Sequence, residues 1–320
     1  MAVNLHKPAR WKSDIAKSVD MYNEWFMKFA PQAFRSTRIQ TTADVEDSLR
    51  STVNMTKIMP ANIRQHPEIL PTLRMSTCPP LAVDCLIGLA HVSTNLVKNM
   101  ELKKKLPTRM NSMSIDRELM KIARIIQKMA DPDIFVWLER RKPPTKTEIH
   151  RAATIVADRL CGAVANPIIR NAQEKRQFAV IKAWLEKRGY KQLPAGAGTH
   201  FDAMPPGTFS FRMNIPVKLE GGIRSVNIPI DVVVMLKTAK KKGFPILFEA
   251  KSAGDFTNTN KRRKEEAVKM MQLRSTYGKK VQFNLFLCGY FDSGYLGYEA
   301  AEGIDWVWEH RINDLTLFGI

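Results

Sequence analysis

Apolar residues in the first 146 positions recur at helical spacing. Ser13 and Asp14 can cap a helix on which Ile15, Val19, Tyr22, Phe26 and Phe29 fall along one side, and Pro31 is expected to end it. Further helices are expected over residues 42–55, 81–100 and 114–129, separated by proline-bearing turns. The stretch Arg140, Arg141, Lys142, Pro143 and Pro144 reads as an exposed connection, so the chain divides into a helical region over 1–146 and a second region over 147–320.

In that second region the period changes. A helix is expected over residues 167–188, closed by Gly189 at the left-handed position after a helix end. After a loop with Gly196 and Gly198 come three strand-like runs, 208–219, 223–236 and 244–251, with turns at Gly221 and Gly222 and at 240–243. Short connections make these an antiparallel meander. A helix over 261–277 and a strand over 281–288 follow, and a crossover helix of that length suits a parallel return. The expectation is a mixed α/β sheet in the order αβββαβ, preceded by a largely helical N-terminal region.

Composition adds a partner to this picture. The chain has 320 residues, 44% of them hydrophobic, and 50 Lys and Arg against 31 Asp and Glu, a net charge of +19. Such an excess favours a polyanion, with nucleic acid first and an anionic membrane surface next. The apolar stretch 81–90 is interrupted by Asp84, and residues 1–14 lack the apolar centre of a signal peptide, so a soluble, cytoplasmic protein without a membrane partner is expected. Cys78, Cys85, Cys161 and Cys288 are too scattered for a disulfide framework and read as buried thiols. Cys78, Cys85 and His91 lack a Cys-x-x-Cys pair and make a weak zinc set. No Gly-x-x-x-x-Gly-Lys-Ser/Thr loop occurs, so no role for ATP is expected.

The chemistry concentrates at three residues. Asp231 lies in one apolar strand, Glu249 and Lys251 in the next, and the last two must share a strand face because side chains alternate. Charges inside an otherwise apolar strand are costly unless paired or metal-bound; the bland alternative is that Glu249 and Lys251 mark where the strand reaches solvent. Glu-x-Lys alone carries little weight, since Glu101 and Lys103 repeat it in a polar stretch. Setting distinguishes the second copy, because 13 basic and only four acidic residues lie between 237 and 280. Lys240, Lys241 and Lys242, and Lys261, Arg262, Arg263 and Lys264, are candidates for phosphate contact or are solvated turn and helix-start residues.

This arrangement resembles the PD-(D/E)xK nuclease superfamily and its αβββαβ core, with Pro229, Ile230 and Asp231, then Glu249, Ala250 and Lys251 after seventeen intervening residues. The proline stands one position further from the acid than in the usual motif. By that resemblance Asp231, Glu249 and the Ala250 carbonyl would ligate Mg²⁺, and Lys251 would orient and help deprotonate the attacking water. Glu174, in line with Phe178, Ile181 and Leu185 on the preceding helix, is either a further ligand or a boundary residue. Gln272 and Tyr277 resemble a Gln and Tyr pair of some branches but are spaced one residue too far apart, which favours packing roles. The segments 22–27 (Tyr-Asn-Glu-Trp-Phe-Met) and 74–82 (Arg-Met-Ser-Thr-Cys-Pro-Pro-Leu-Ala) look like those of XamI-type type II restriction endonucleases. That resemblance implies Mg²⁺-dependent, sequence-specific cleavage of double-stranded DNA leaving 5′-phosphate ends, by a homodimer on a palindromic site. A structure-specific repair or recombination nuclease and a non-catalytic DNA-binding protein are the alternatives.

Overall fold

The structure, a computed structural model, describes residues 2–194, 200–218, 225–240, 243–257 and 259–320, less the side chains of 260–262. Gly196, Gly198, Gly221, Gly222, Lys241 and Lys242 fall outside the described residues, as do the side chains of Lys261 and Arg262.

Seven helices open the chain: α1 (Pro8–Ser51), α2 (Pro60–Gln65), α3 (Leu70–Met75), α4 (Val83–Ala90), α5 (Thr94–Lys103), α6 (Ser112–Met129) and α7 (Lys146–Lys187). Then follow β1 (Lys191–Gln192), β2 (Thr208–Lys218), β3 (Ser225–Met235), β4 (Ile246–Ala253), α8 (Thr259–Tyr277), β5 (Phe283–Gly289), α9 (Ser293–Ala301) and β6 (Asp305–Trp308). Two compact units result, Met1–Phe29 with Arg170–Ile320, and Ala30–Ile169. The division lies within α1 and α7; position 146, where the sequence changes character, begins α7.

Two expected helix boundaries are corrected. Pro31 lies inside α1 and Pro167 inside α7. An interior proline costs ~3 kcal/mol but removes a single N–H donor. Burial on either side outweighs it: Tyr22, Ala30, Val45 and Leu49 along α1, and Val156, Ala165, Ile181 and Leu185 along α7, are at most 5% exposed. The single helix expected over 81–100 is instead α4 and α5, parted where His91 takes a left-handed φ of 47°. Of the cysteines, Cys161 and Cys288 are buried as expected, whereas Cys78 and Cys85 are exposed. By length and composition α7 passes the test for a membrane-crossing helix, which buried core helices also pass.

The unit Ala30–Ile169 is helical around one core. In α6, Ile115, Leu119, Ile122 and Ile126 recur at helical spacing and all enter it, and Asn111 caps the helix by accepting from the Ser114 amide. Glu101, the acid of the second Glu-x-Lys, is claimed here by Arg74, whose Nε and Nη2 lie 3.0 and 3.1 Å from its two oxygens. That copy of the motif is structural.

The other unit is a six-stranded mixed sheet in the order β1 to β6. β2, β3 and β4 form the antiparallel meander; β5 runs parallel to β4, and β6 parallel to β5. Parity assigns the faces. Val233 and Leu247 join a core with Met270 and Leu273 of α8 and Tyr295 and Leu296 of α9. Val232 and Phe248 join a different core with Ile181, Trp184 and Leu185 of α7. α9 and β6 were not expected from the sequence. All four β6 residues are buried, so no alternation marked the strand.

Candidate active site

The β2–β3 hairpin is regular except at one place, where the ladder skips the pair Arg212 and Asp231 and Arg212 adopts φ 52°. A left-handed non-glycine residue inside a strand is strained, and such strain is sustained only by its surroundings. Beyond the break the strands change cores: Ile228 and Ile230 join the α8 side, whereas Val232 and Val234 join the α7 side. The far half of the hairpin curls onto α8, where the Lys218 amide donates to Thr276 Oγ1 at 2.9 Å and the Tyr277 hydroxyl donates to the Pro216 carbonyl. Tyr277 also packs against Phe201 and Phe244, as the sequence reading favoured, and takes no part in the site.

β3 and β4 pair only from Val232↔Phe248 to Val234↔Ile246 and then part. Asp231, Glu249 and Lys251 lie at that opening. Asp231 Oδ2 accepts from the Ala250 amide at 2.9 Å, so the side chain spans the gap. A strand residue's N–H and C=O project to the same side, which aims the Ala250 carbonyl at the same opening. Lys251 Nζ lies 3.2 Å from Glu249 Oε1, bringing all three expected residues together.

Two residues unremarked in the sequence join them from α8. Lys269 Nζ lies 2.6 Å from Glu249 Oε1, and Glu266 Oε1 lies 3.4 Å from Lys251 Nζ. Spaced three apart, they share a helix side. The available signal was spacing: Glu266, which is 1% exposed, stands four and seven residues before Met270 and Leu273 on the apolar side of the helix.

Burial, and then the neighbouring Glu249 carboxylate, pushes Asp231 up to about 6. For Lys251 burial alone would lower the value, but the Glu249 and Glu266 carboxylates hold it above the ordinary ammonium range. Glu266 is raised by burial against the pull of Lys251. Closely spaced groups with perturbed values are frequent at sites that move protons.

The donor set suits a hard divalent cation. Glu249 Oε2 is buried and lacks a hydrogen-bond partner among the described residues, so a carboxylate oxygen stands open beside Asp231. No group of three or more His, Cys, Asp or Glu suited to a metal occurs among the described residues. Mg²⁺ does not need one, since it keeps several waters and takes one or two carboxylates. Zinc on Cys78, Cys85 and His91 finds no support there.

Glu174 stands apart. Its Oε1 accepts from Arg212 Nε at 3.1 Å and Nη2 at 2.6 Å, beneath Phe178 stacked on Phe211. It shares a helix face with Phe178, Ile181 and Leu185 as expected, but that face covers the sheet side bearing Val232 and Phe248, opposite in parity to Asp231 and Glu249. Of the basic candidates, Lys240 and Lys264 are exposed, and the Arg263 guanidinium lies over the Tyr298 ring at 4.8 Å.

The XamI restriction endonuclease family matches residues 53–308 of the chain, which takes in the whole constellation. The type II restriction enzyme SalI of Streptomyces albus G is 51% identical over 317 residues, spanning 99% of both proteins. Among solved structures, protein VC1899 from Vibrio cholerae aligns over 80% of this chain and 55% of its own length, with 14% identity and a TM-score of 0.29, too low to support an argument.

Proposed function

The chain belongs to the XamI restriction endonuclease family, and on that premise we propose that Asp231, Glu249 and Lys251 are the hydrolytic centre of a Mg²⁺-dependent type II enzyme. Family membership makes it a site-specific deoxyribonuclease that cleaves double-stranded DNA, and enzymes of this class use divalent cations. One observation carries the assignment of the centre: Asp231 reaches across the parted strands to the Ala250 amide, while Glu249 presents an open buried oxygen on the same side. The order of α7, β2, β3, β4, α8 and β5 supports reading this unit as a PD-(D/E)xK core.

In this reading Asp231, Glu249 and the Ala250 carbonyl would hold Mg²⁺. The bound cation would polarise the scissile phosphate and acidify a water. Lys251, as an ammonium, would orient that water and stabilise the hydroxide it becomes, in the position that its bond to Glu249 fixes, while the proton passes to solvent water. Glu174, paired with Arg212 on the α7 side of the sheet, serves as the boundary residue of that helix rather than as a further ligand. Lys240, Lys264 and Arg263, with Lys241, Lys242, Lys261 and Arg262, supply phosphate contacts around the centre. The products carry 5′-phosphates, a homodimer matches a palindromic site, the helical region over 1–146 contributes recognition or dimerisation, and the enzyme works in the cytoplasm without ATP.

The test is incubation with mixed-sequence DNA and Mg²⁺, followed by sequencing of fragment ends. Discrete, reproducible ends are expected, and Asp231→Ala, Glu249→Ala and Lys251→Ala should abolish them while DNA binding persists. Preference for branched over intact duplex would select a repair nuclease, and binding with no cutting under any divalent ion would select a non-catalytic protein.

A further inference from the structure

Lys251 is held between two carboxylates, and only one of them is free to keep it. Glu249 Oε1 already accepts from Lys269 at 2.6 Å and from Lys251 at 3.2 Å, and Glu249 is also the residue that faces the cation. Once Glu249 is engaged there, its hold on Lys251 weakens, because a carboxylate shares its charge among every cation it meets. A lysine side chain has four rotatable bonds and a compact charge, so an ammonium without a fixed partner explores many positions.

Glu266 supplies the second hold, and it is itself braced. It is 1% exposed, with Oε1 3.4 Å from Lys251 Nζ and Oε2 accepting the Tyr295 hydroxyl of α9 at 2.8 Å. Glu299, four residues after Tyr295 and therefore on the same side of α9, is fully buried beside Glu266. Burial and the Glu266 carboxylate push Glu299 up to about 9, so at neutral pH it adds no second negative charge next to Glu266. The Tyr295 hydroxyl of α9 thus fixes one carboxylate of α8, which in turn faces the ammonium of β4. A negative charge in so dry a place is costly without a cation, and Lys251 is the cation it faces.

We propose that Glu266 is a positioning residue for DNA cleavage: braced by Tyr295, it keeps the Lys251 ammonium aimed at the attacking water while Glu249 serves the cation. This rests on the reading of Asp231, Glu249 and Lys251 as the hydrolytic centre. Glu266 touches neither DNA nor the cation in this role and acts through Lys251 alone.

The role separates cleavage from binding. In Glu266→Gln the single-turnover cleavage rate in Mg²⁺ should fall about 10- to 100-fold, the range for losing an outer partner of a site residue. The DNA dissociation constant in Ca²⁺ should stay within about twofold, since the phosphate contacts are untouched. Glu266→Asp, which keeps the charge, should recover part of the rate, and Tyr295→Phe should lose less than Glu266→Gln. A folded Glu266→Gln protein that cleaves within about twofold of the parent overturns the proposal, as does an equal loss of binding and rate. If Glu266→Gln fails to fold, Glu266→Asp and Tyr295→Phe decide, and parental rates in both overturn it. Lys251→Ala and Asp231→Ala run alongside: if they cleave normally the centre itself is misassigned, whereas if they are inactive and Glu266→Gln is normal, only the positioning role falls.

Discussion

Lowering the pH from 8 to 5 probes the centre through Asp231. Burial, reinforced by the Glu249 carboxylate, raises this residue from the ordinary 3.8 to about 6. Cation binding requires the ionised form, so proton and cation compete for one carboxylate. Below about pH 6, each further unit should weaken the apparent cation affinity about tenfold, or about 1.4 kcal/mol, and above it Asp231 imposes no slope. The assay is single-turnover cleavage against pH at two Mg²⁺ concentrations. Well below half-saturation, the midpoint of the acid limb should lie near 6; tenfold above half-saturation, it should fall by about one unit, because bound cation excludes the proton. In the cation-free protein the sign is opposite to that of a salt-bridged acid. A raised carboxylate favours the folded chain when protonated, so Asp231 adds stability below its ordinary value and loses it as pH climbs through about 6. An acid limb whose midpoint ignores Mg²⁺ concentration would refute the assignment of Asp231 as a ligand.

Two further perturbations address neighbouring groups. Lys269→Met removes an ammonium from Glu249 Oε1, the oxygen nearest both lysines, so the Mg²⁺ concentration for half-maximal cleavage should drop by about 2- to 10-fold, the span of a local charge interaction of about 1 kcal/mol; an increase would contradict it. Glu299→Gln replaces a buried carboxyl raised to about 9 with a side chain that stays neutral. Below the ordinary carboxylate range the two proteins should be equally stable; the variant's advantage should grow by up to about 1.4 kcal/mol per pH unit and level off near pH 9, read from denaturation midpoints. An advantage independent of pH would show that Glu299 ionises freely.

Much of the centre was readable because strand alternation is local. Apolar residues around Asp231 and Glu249 announced two strands, and Glu249 and Lys251, two apart, had to share a face whatever the rest of the chain did. The meander and the parallel return followed from turn lengths and a helix of the right size. Proline misled twice, at Pro31 and Pro167, because its local cost is fixed while the burial that offsets it depends on distant residues. Glu174 shows the limit of helical periodicity, which groups side chains on one face without saying which side of a sheet that face will cover.

What the sequence alone determined is therefore what depends on neighbours within a few positions: the strands, their parity, the charge around them and the segments that resemble a restriction endonuclease family. The tertiary structure decided how charges from separate elements meet. Lys269 and Glu266 reach Glu249 and Lys251 because α8 packs across the face that carries them, and Tyr295 braces Glu266 because α9 packs on α8. The physical reason is that an ionisable group takes its character from desolvation and from charges within a few ångströms, and neither is set until the chain has closed around it.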